Sequence, residues 1–409
     1  MDVSYVNIIK RNNLHYQILG GQRMNEKITK INEKIGKITE RITKINESVE
    51  KYEILDILHT TDHIFNLISH TDLDGYGCNI VANMHFANNL EREMNVNYDE
   101  IDNAILTMLD NIITSYEFVP KAEYKYNVLC ITDISSADPY IIEMIDKINS
   151  MNGLVSIYLI DHHATAKKLY SNYWWAIITS DPVSATYLFN IWAKYYLNII
   201  GRESILRIFT LNNQRTYEEI VEIISRYDTW EWMDNPIDKY DGKENYLNVI
   251  FKSFKDGDTF VTSIVSMFYN MSLSGYLDIF NEFKDEIDEY KSNIDKAVDR
   301  LSNISIKFRH QGHIVSIGFC HSPYMSEVAN RYLKNNEDVD YIMILNVENR
   351  VVSFRSTRDD INLGEIAKVW SCDGKGGGHP KAAGATISID DTLCLLEKFY
   401  GRLDDDEVV

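Results

Sequence analysis

Val155-Ser156-Ile157-Tyr158-Leu159-Ile160-Asp161-His162-His163 is the stretch on which the reading of this chain turns. Its first part is a short, almost continuous apolar run, the pattern of a strand buried on both faces. The run stops at a carboxylate and two imidazoles. Upstream, Leu67-Ile68-Ser69-His70-Thr71-Asp72-Leu73-Asp74-Gly75 has the same layout, and Val128-Leu129-Cys130-Ile131-Thr132-Asp133 repeats it between them. Three predicted strands therefore each end in His or Asp. In an open parallel sheet the strand ends line the crevice where ligands bind. Carboxylates mixed with imidazoles suit divalent ions such as Mn²⁺, and a pair of such ions is the usual apparatus for displacement at phosphorus. Asp72 and Asp74 stand two positions apart. On a regular strand that spacing puts both side chains on one face.

Working outward, strands are expected at 64–69, 128–132, 155–160 and 174–179, with helices at 75–89, 104–116, 139–148 and 217–226. Asp181-Pro182 reads as a helix start, Asp as the cap and Pro in the first turn, for a helix running to about residue 199. This alternation predicts an α/β fold built on a doubly wound parallel sheet. Residues 260–271 and 276–301 read as helices, the second long and charged enough to act as a connector. Strands expected at 304–308, 314–319, 341–345 and 351–355, with a glycine loop at 374–378, make a smaller α/β domain. The resulting division is an N-terminal segment (1–22), a coiled-coil helix (23–55), a metal-binding domain (56–256), a helical connector (257–303), a substrate-binding domain (304–401) and an acidic tail (402–409).

The coiled-coil expectation rests on Ile28, Ile31, Ile35, Ile38, Ile42, Ile45, Val49 and Tyr52, which recur in alternating steps of three and four. Positions flanking that seam are basic (Lys27, Lys34, Arg41) on one side and neutral (Asn32, Thr39, Asn46) on the other. The strict alternation predicts a homo-oligomer through residues 24–52. The alternative is an amphipathic helix packed on the chain's own body.

Composition sets further limits. A chain of 409 residues with 45% hydrophobic content has ample core for two or three domains. The five cysteines are scattered and form no CxxC pair, which speaks against a zinc site or a disulfide framework and for a reducing, cytoplasmic setting. Cys78 and Cys130, near the proposed site, read as small buried hydrophobes. No apolar run is long enough to span a membrane. A net charge of −20 gives no long-range attraction to a polyanion, so extended nucleic acid is expected to bind weakly, while a small anionic substrate held by metals remains compatible.

Taken in order, His70-x-Asp72-x-Asp74, Asp133, Asp161-His162-His163, Asp228 and Gly376-Gly377-Gly378-His379 resemble the DHH phosphoesterase family with a DHHA1 C-terminal domain. The match covers roughly residues 60–400, and Tyr227-Asp228-Thr229-Trp230 resembles the nanoRNase branch of that family. The resemblance implies two divalent ions, Mn²⁺ first and Mg²⁺ or Co²⁺ next. His70, Asp72 and Asp133 would hold one. Asp74, Asp133, His162 and Asp228 would hold the other, with Asp133 bridging. Asp161 is expected to orient a neighbouring imidazole. His163 is expected to face the scissile phosphate, stabilising charge ahead of donating a proton. Gly376, Gly377, Gly378 and His379 would present backbone N–H groups to phosphate oxygens. Arg355 and Ser356 match the family's Arg-Ser element, with Arg355 as the anion clamp. Arg358, Lys375 and Lys381 flank these elements as a local basic patch. Tyr76, Tyr227, Trp230 and Trp232 are the aromatic candidates for base stacking.

The function implied is hydrolysis of short oligonucleotides to nucleoside monophosphates. Cyclic (di)nucleotides, 3′-phosphoadenosine phosphate and single strands are alternative substrates, and an inorganic pyrophosphatase fits less well. A catalytically silent scaffold of the same superfamily is the reading from a different class, and retention of every expected ligand argues against it.

Overall fold

The computed structural model describes residues 29–49, 63–179, 181–234, 242–271, 278–310, 312–320, 325–371, 376–388 and 390. The expectations for the N-terminal segment, for Lys375 and for the acidic tail lie outside them. The chain divides into two compact units at Phe283 and Lys284.

In the first unit, β1 (Ile64–Ser69), β2 (Leu90–Asn95), β3 (Asn127–Thr132), β4 (Val155–Asp161) and β5 (Ala176–Ile178) form one sheet in the order β2-β1-β3-β4-β5. Every pairing in it is parallel. The strand order reverses direction between β1 and β3, and a ligand crevice is expected outside the carboxyl ends at such a switch point. β3 is buried along its whole length and β4 nearly so, as their apolar runs require. The edge strand β2 reads Leu-Glu-Arg-Glu-Met-Asn, is half exposed, and was not expected from the sequence.

Four helices bear on the site: α2 (Leu73–Phe86), α5 (Ala164–Tyr170), α6 (Ala185–Ile199) and α7 (Leu211–Asp228). α6 begins later than expected. Its N-cap is Ser184, whose side chain accepts from Tyr187 N–H, so neither Asp181 nor Pro182 starts the helix. A hydroxyl satisfies the first-turn N–H groups as well as a carboxylate does, and the Asp-Pro pair lies in the preceding turn.

Residues 29–47 form helix α1, and its heptad face is covered by the chain itself. Ile38, Ile42 and Val49 are buried in the same core cluster as Ile105, Leu109, Ile112 and Ile145, with Ile31, Ile35 and Ile45 packed against it. These residues belong to α3 (Ile101–Glu117) and α4 (Pro139–Ser150). The flanking positions are also engaged. Arg41 pairs with Asp110 and Glu117, and Asn46 Oδ1 accepts from Leu154 N–H at 3.1 Å. A Cβ on Gly153 would sit 2.1 Å from the Asn46 amide. Over residues 29–49, the seam read as a coiled-coil face thus packs on this chain's own helices α3 and α4.

In the second unit, the charged helix expected as a connector runs over Lys284–Ile304, buries Ile287, Tyr290, Ile294, Val298 and Leu301, and packs on helix Met325–Asn335 and strand His313–Phe319 of its own unit. The sheet of this unit contains β6 (Ile306–His310), β7 (His313–Phe319), β8 (Tyr341–Asn346), β9 (Val351–Ser356), β10 (Gly377–His379) and β11 (Ala382–Thr386) in the order β10-β11-β9-β8-β7-β6. Only β7 and β8 pair in parallel among these described strands. Part of the expected glycine loop is therefore an edge strand.

Candidate active site

The expected ligands converge at the carboxyl ends of β1, β3 and β4. After β1 the chain folds sharply back on itself before entering α2. A Cβ on Gly75 would lie 2.2 Å from His70 O, so only glycine fits. Asp72 caps α2 by accepting from Gly75 N–H at 3.0 Å, and Asp74 already belongs to the first helical turn. The two residues are therefore not on one strand face as their spacing suggested; they serve different sides of the cluster. Thr132 Oγ1 donates to Ser69 Oγ (2.8 Å), which reaches Gly75 O (3.0 Å), tying the ends of β1 and β3 to the turn.

Asp133 follows β3 with φ 59°. Asp tolerates this left-handed conformation better than most side chains, and strain of this kind gathers at functional sites. Asp161 is the last residue of β4; His162 and His163 lead into α5, with His163 at its N-cap. Asp228 ends α7 and is the one expected ligand that no strand delivers.

The metal-type atoms of His70, Asp72 and Asp133 lie within 4.8 Å of one another, and so do those of Asp74, His162 and Asp228. A third such group joins Asp133 to His162 and His163. His70 Nδ1 is 2.9 Å from Asp72 Oδ2 and 3.9 Å from Asp133 Oδ2. His162 Nε2 faces Asp228 at 3.2 Å, Asp133 at 3.4 Å and Asp74 at 3.7 Å. Asp133 stands between the two sides. Asp74 is almost fully buried, and its oxygens accept from the N–H groups of Ala185 (2.8 Å) and Thr186 (3.0 Å) at the start of α6.

The electrostatics of this cluster call for cations. Burial, and then the charges of Asp74, Asp72 and Asp228, push the Asp133 carboxyl well above its usual range. Burial and the charges of Asp74 and Asp72 do the same to Asp228. Asp133 Oδ2 and His162 Nε2 are buried without a hydrogen-bond partner. Burial holds the His162 imidazole toward its neutral, ligating form. Crowded carboxylates and an unpartnered imidazole nitrogen are a donor set for hard-to-borderline divalent ions, so these residues fit such ions. Asp72 is drawn the other way: burial raises its pKa, but hydrogen bonds from His70 and from Gly75 N–H outweigh it and hold it at about 2.

His163 is positioned by Asp161. Asp161 Oδ1 receives both its ring Nδ1 (2.7 Å) and its backbone N–H (3.0 Å), so Nε2 points away from that carboxylate. Burial lowers the pKa of His163, but its bond to Asp161 and the surrounding carboxylates prevail and raise it.

Sequence reasoning missed what surrounds these residues. Asn95 Nδ2 donates to His70 O at 2.6 Å and to Asn79 Oδ1 at 2.9 Å. Tyr98, just past β2, places its hydroxyl 3.4 Å from His163 Nε2. Nothing in Asn95-Val96-Asn97-Tyr98 marks it as part of a site unless β2 is first recognised as a strand beside β1. The helix α6 was expected to start at Asp181-Pro182, so the N–H groups of Ala185 and Thr186 that hold Asp74 were missed. Cys78 and Cys130 are fully buried, and burial pushes both thiols up.

In the second unit, Arg355 on β9 pairs with Ala382 on β11, and His379 on β10 pairs with the same residue. The Arg355 guanidinium is buried and donates to Phe354 O (2.7 Å), Ala383 O (3.3 Å) and Ser326 Oγ (2.5 Å). Ser356 Oγ donates to Asp340 O at 2.6 Å. Gly377 and Gly378 have φ 159° and 140°, and a Cβ on Gly376 would meet Ala367 O at 2.2 Å. The glycines let β10 lie closely against helix Leu363–Trp370. The expected basic patch is largely neutralised: Arg358 pairs with Asp340 and Asp360, and Lys381 with Asp359.

The chain is similar to several known proteins. The profile of the DHHA1 domain matches residues 312–402. Oligoribonuclease NrnB of Bacillus subtilis is 28% identical over 335 residues, covering 80% of this chain and 73% of that protein. A 3′,5′-cyclic-nucleotide phosphodiesterase of Helicobacter pylori is 23% identical over 349 residues, covering 78% of this chain and 92% of that protein. Among solved structures, RecJ of Thermus thermophilus in complex with Mn²⁺ aligns with a TM-score of 0.48 at 11% identity, over 88% of this chain and 54% of that one. No helix among the described residues is long and apolar enough to cross a membrane. This chain is a phosphoester-hydrolysing enzyme that carries a DHHA1 domain over residues 312–402 and is similar along most of its length to an oligoribonuclease.

Proposed function

We propose that this enzyme hydrolyses short oligonucleotides to nucleoside monophosphates at a site for two divalent ions. The observation that carries the reading is the pair of ligand groups on either side of Asp133, one built on His70 and Asp72, the other on Asp74, His162 and Asp228. Two ions bound there would activate a water and neutralise phosphoryl charge. The protein's own part is positional. The α6 N-terminus fixes Asp74, Asp72 fixes the His70 ring, and Asp161 fixes His163. His163, held toward its protonated form, offers Nε2–H to a phosphoryl oxygen, stabilising charge as the bond to the leaving oxygen breaks.

Substrate contacts from the second unit are assigned to Gly376, Gly377, Gly378 and His379 on the β10 edge and to Arg355 and Ser356 on β9. In this assignment Arg355 exchanges its bond to Ser326 for a phosphate oxygen. A net charge of −20 favours short anionic substrates over long strands. Likeness to an oligoribonuclease supports the same choice. Cyclic nucleotides are the second reading, favoured by likeness to the cyclic-nucleotide phosphodiesterase.

The test is incubation with Mn²⁺ and labelled RNAs from dinucleotides to long strands, with a cyclic dinucleotide in parallel and Asp133→Ala as control. Fast cleavage of the shortest RNAs is expected. Preference for the cyclic substrate or for long strands would reassign the substrate, and inertness of the wild-type protein toward all of them would sink the proposal.

A further inference from the structure

Tyr98 stands at the rim of the carboxylate cluster, and no role assigned above uses it. The residue is 56% exposed. Its ring centroid lies 4.8 Å from that of His70 and 6.4 Å from that of His163, at 85° to the latter. A single aromatic ring therefore spans from a ligand candidate to the imidazole expected to face the phosphate.

The backbone that carries Tyr98 is firmly tied down. Val96 N–H donates to Ser69 O at 2.9 Å, Thr71 Oγ1 donates to Asn97 Oδ1 at 2.9 Å, and Asn97 N–H donates to Glu100 Oε2 at 3.0 Å. The other aromatics near Asp228 are stacked on one another, Trp232 against Trp230 (6.1 Å, 24°) and against Tyr227 (6.4 Å, 11°). A large, exposed ring on a fixed turn beside a phosphate site is the arrangement of a base-stacking platform, and every nucleobase has a π-face to offer it.

We propose that Tyr98 stacks on the nucleobase attached to the scissile phosphate and so makes this enzyme select nucleotides over plain phosphoesters. The inference rests on the short-oligonucleotide reading of the same site. The ring supplies the stacking surface, and the tied-down backbone around Val96 and Asn97 sets its place, so the hydroxyl is dispensable.

The test uses full-length, Mn²⁺-loaded protein in titration calorimetry with AMP and with ribose 5-phosphate, which differ by the base. The wild type is expected to bind AMP at least about 5-fold more tightly, the lower end for one base–aromatic stack. Tyr98→Ala should erase that preference, and Tyr98→Phe should keep it. With a dinucleotide substrate, Tyr98→Ala should raise KM about 5-fold or more with little change in kcat, and leave KM for the matching abasic dinucleotide unchanged. An AMP preference that is absent from the wild type, persists in Tyr98→Ala, or is lost in Tyr98→Phe overturns the inference. If the wild type leaves the dinucleotide uncleaved yet shows the predicted binding pattern, the substrate reading fails while the role of Tyr98 stands.

Discussion

Asp74 and Thr186 hold each other at two points: the Thr186 N–H donates to the Asp74 carboxylate at 3.0 Å, and the Thr186 hydroxyl donates to the Asp74 carbonyl at 2.6 Å. The close approach of α6 to α2 permits it, since a Cβ on Gly77 would lie 2.3 Å from Thr186 Oγ1. One ligand candidate is thereby locked to a helix start rather than left on a loop.

Thr186→Val keeps the side-chain volume and removes the hydroxyl, leaving the buried Asp74 carbonyl short of a partner. The expected result is a loss of about 1–3 kcal/mol in stability together with weaker Mn²⁺ binding. Urea denaturation and metal titration measure the two effects separately, and a metal affinity equal to that of the wild type would remove Thr186 from the site's support.

Asp133→Asn should act in opposite directions on the two forms of the protein. Without metal it relieves repulsion among buried carboxylates, and Asn accepts the left-handed backbone, so the apo protein should melt at a higher temperature. With Mn²⁺ the wild type should gain about 3 kcal/mol at a hundredfold excess over Kd, and the variant should gain far less. Melting curves with Mn²⁺ and with EDTA decide it. An equal metal response in both proteins would count against the bridging position.

Ile42→Ala tests the docked helix. Ile42 is 1% exposed within the main cluster, so truncation should cost about 2–5 kcal/mol. Light scattering should give the same mass for variant and wild type, because the residue packs inside one chain. A drop in mass on substitution would restore the oligomeric seam.

His85 supplies a pH dependence away from the metal-type cluster. Its Nε2 meets Asn190 Oδ1 at 2.9 Å, and burial, opposed by that bond, lowers its pKa to about 4. An unfolded histidine titrates near 6.5. Between these values the unfolded chain binds more protons, so stability falls as pH drops through that window. The contribution lost is on the order of 3 kcal/mol between about pH 7 and about pH 4. His85→Gln should flatten that part of the profile, seen as a smaller difference between urea midpoints at the two ends.

Much of this was legible in the chain. Apolar runs with abrupt polar ends locate β1, β3 and β4, because a strand buried on both faces tolerates little else. Their ends bring His70, Asp133 and His162 together as a consequence of parallel pairing. What escaped did so for physical reasons. β2 lies at an edge, where Glu91, Arg92 and Glu93 interrupt the apolar pattern, so no apolar run marks it, and Tyr98 was missed with it. The heptads of α1 report an apolar stripe but not whose surface covers it; α3 and α4 present a matching face, which only the tertiary fold shows. Asp181 looked like a cap because Asp-Pro often starts helices, while Ser184 does the capping. Gly376–Gly378 read as a loop because glycine is rare inside strands, whereas here missing Cβ atoms admit a neighbouring helix.

The switch point between β1 and β3 has a consequence for biosynthesis. The ligand candidates arrive in chain order from His70 to Asp228, and the last comes from the end of a helix that follows the whole sheet. A nascent chain that has yet to expose Asp228 carries several mutually repelling carboxylates and an incomplete cage. The group of Asp74, His162 and Asp228 can therefore be completed only once the chain has been made as far as Asp228, whereas His70, Asp72 and Asp133 are together in the chain much earlier.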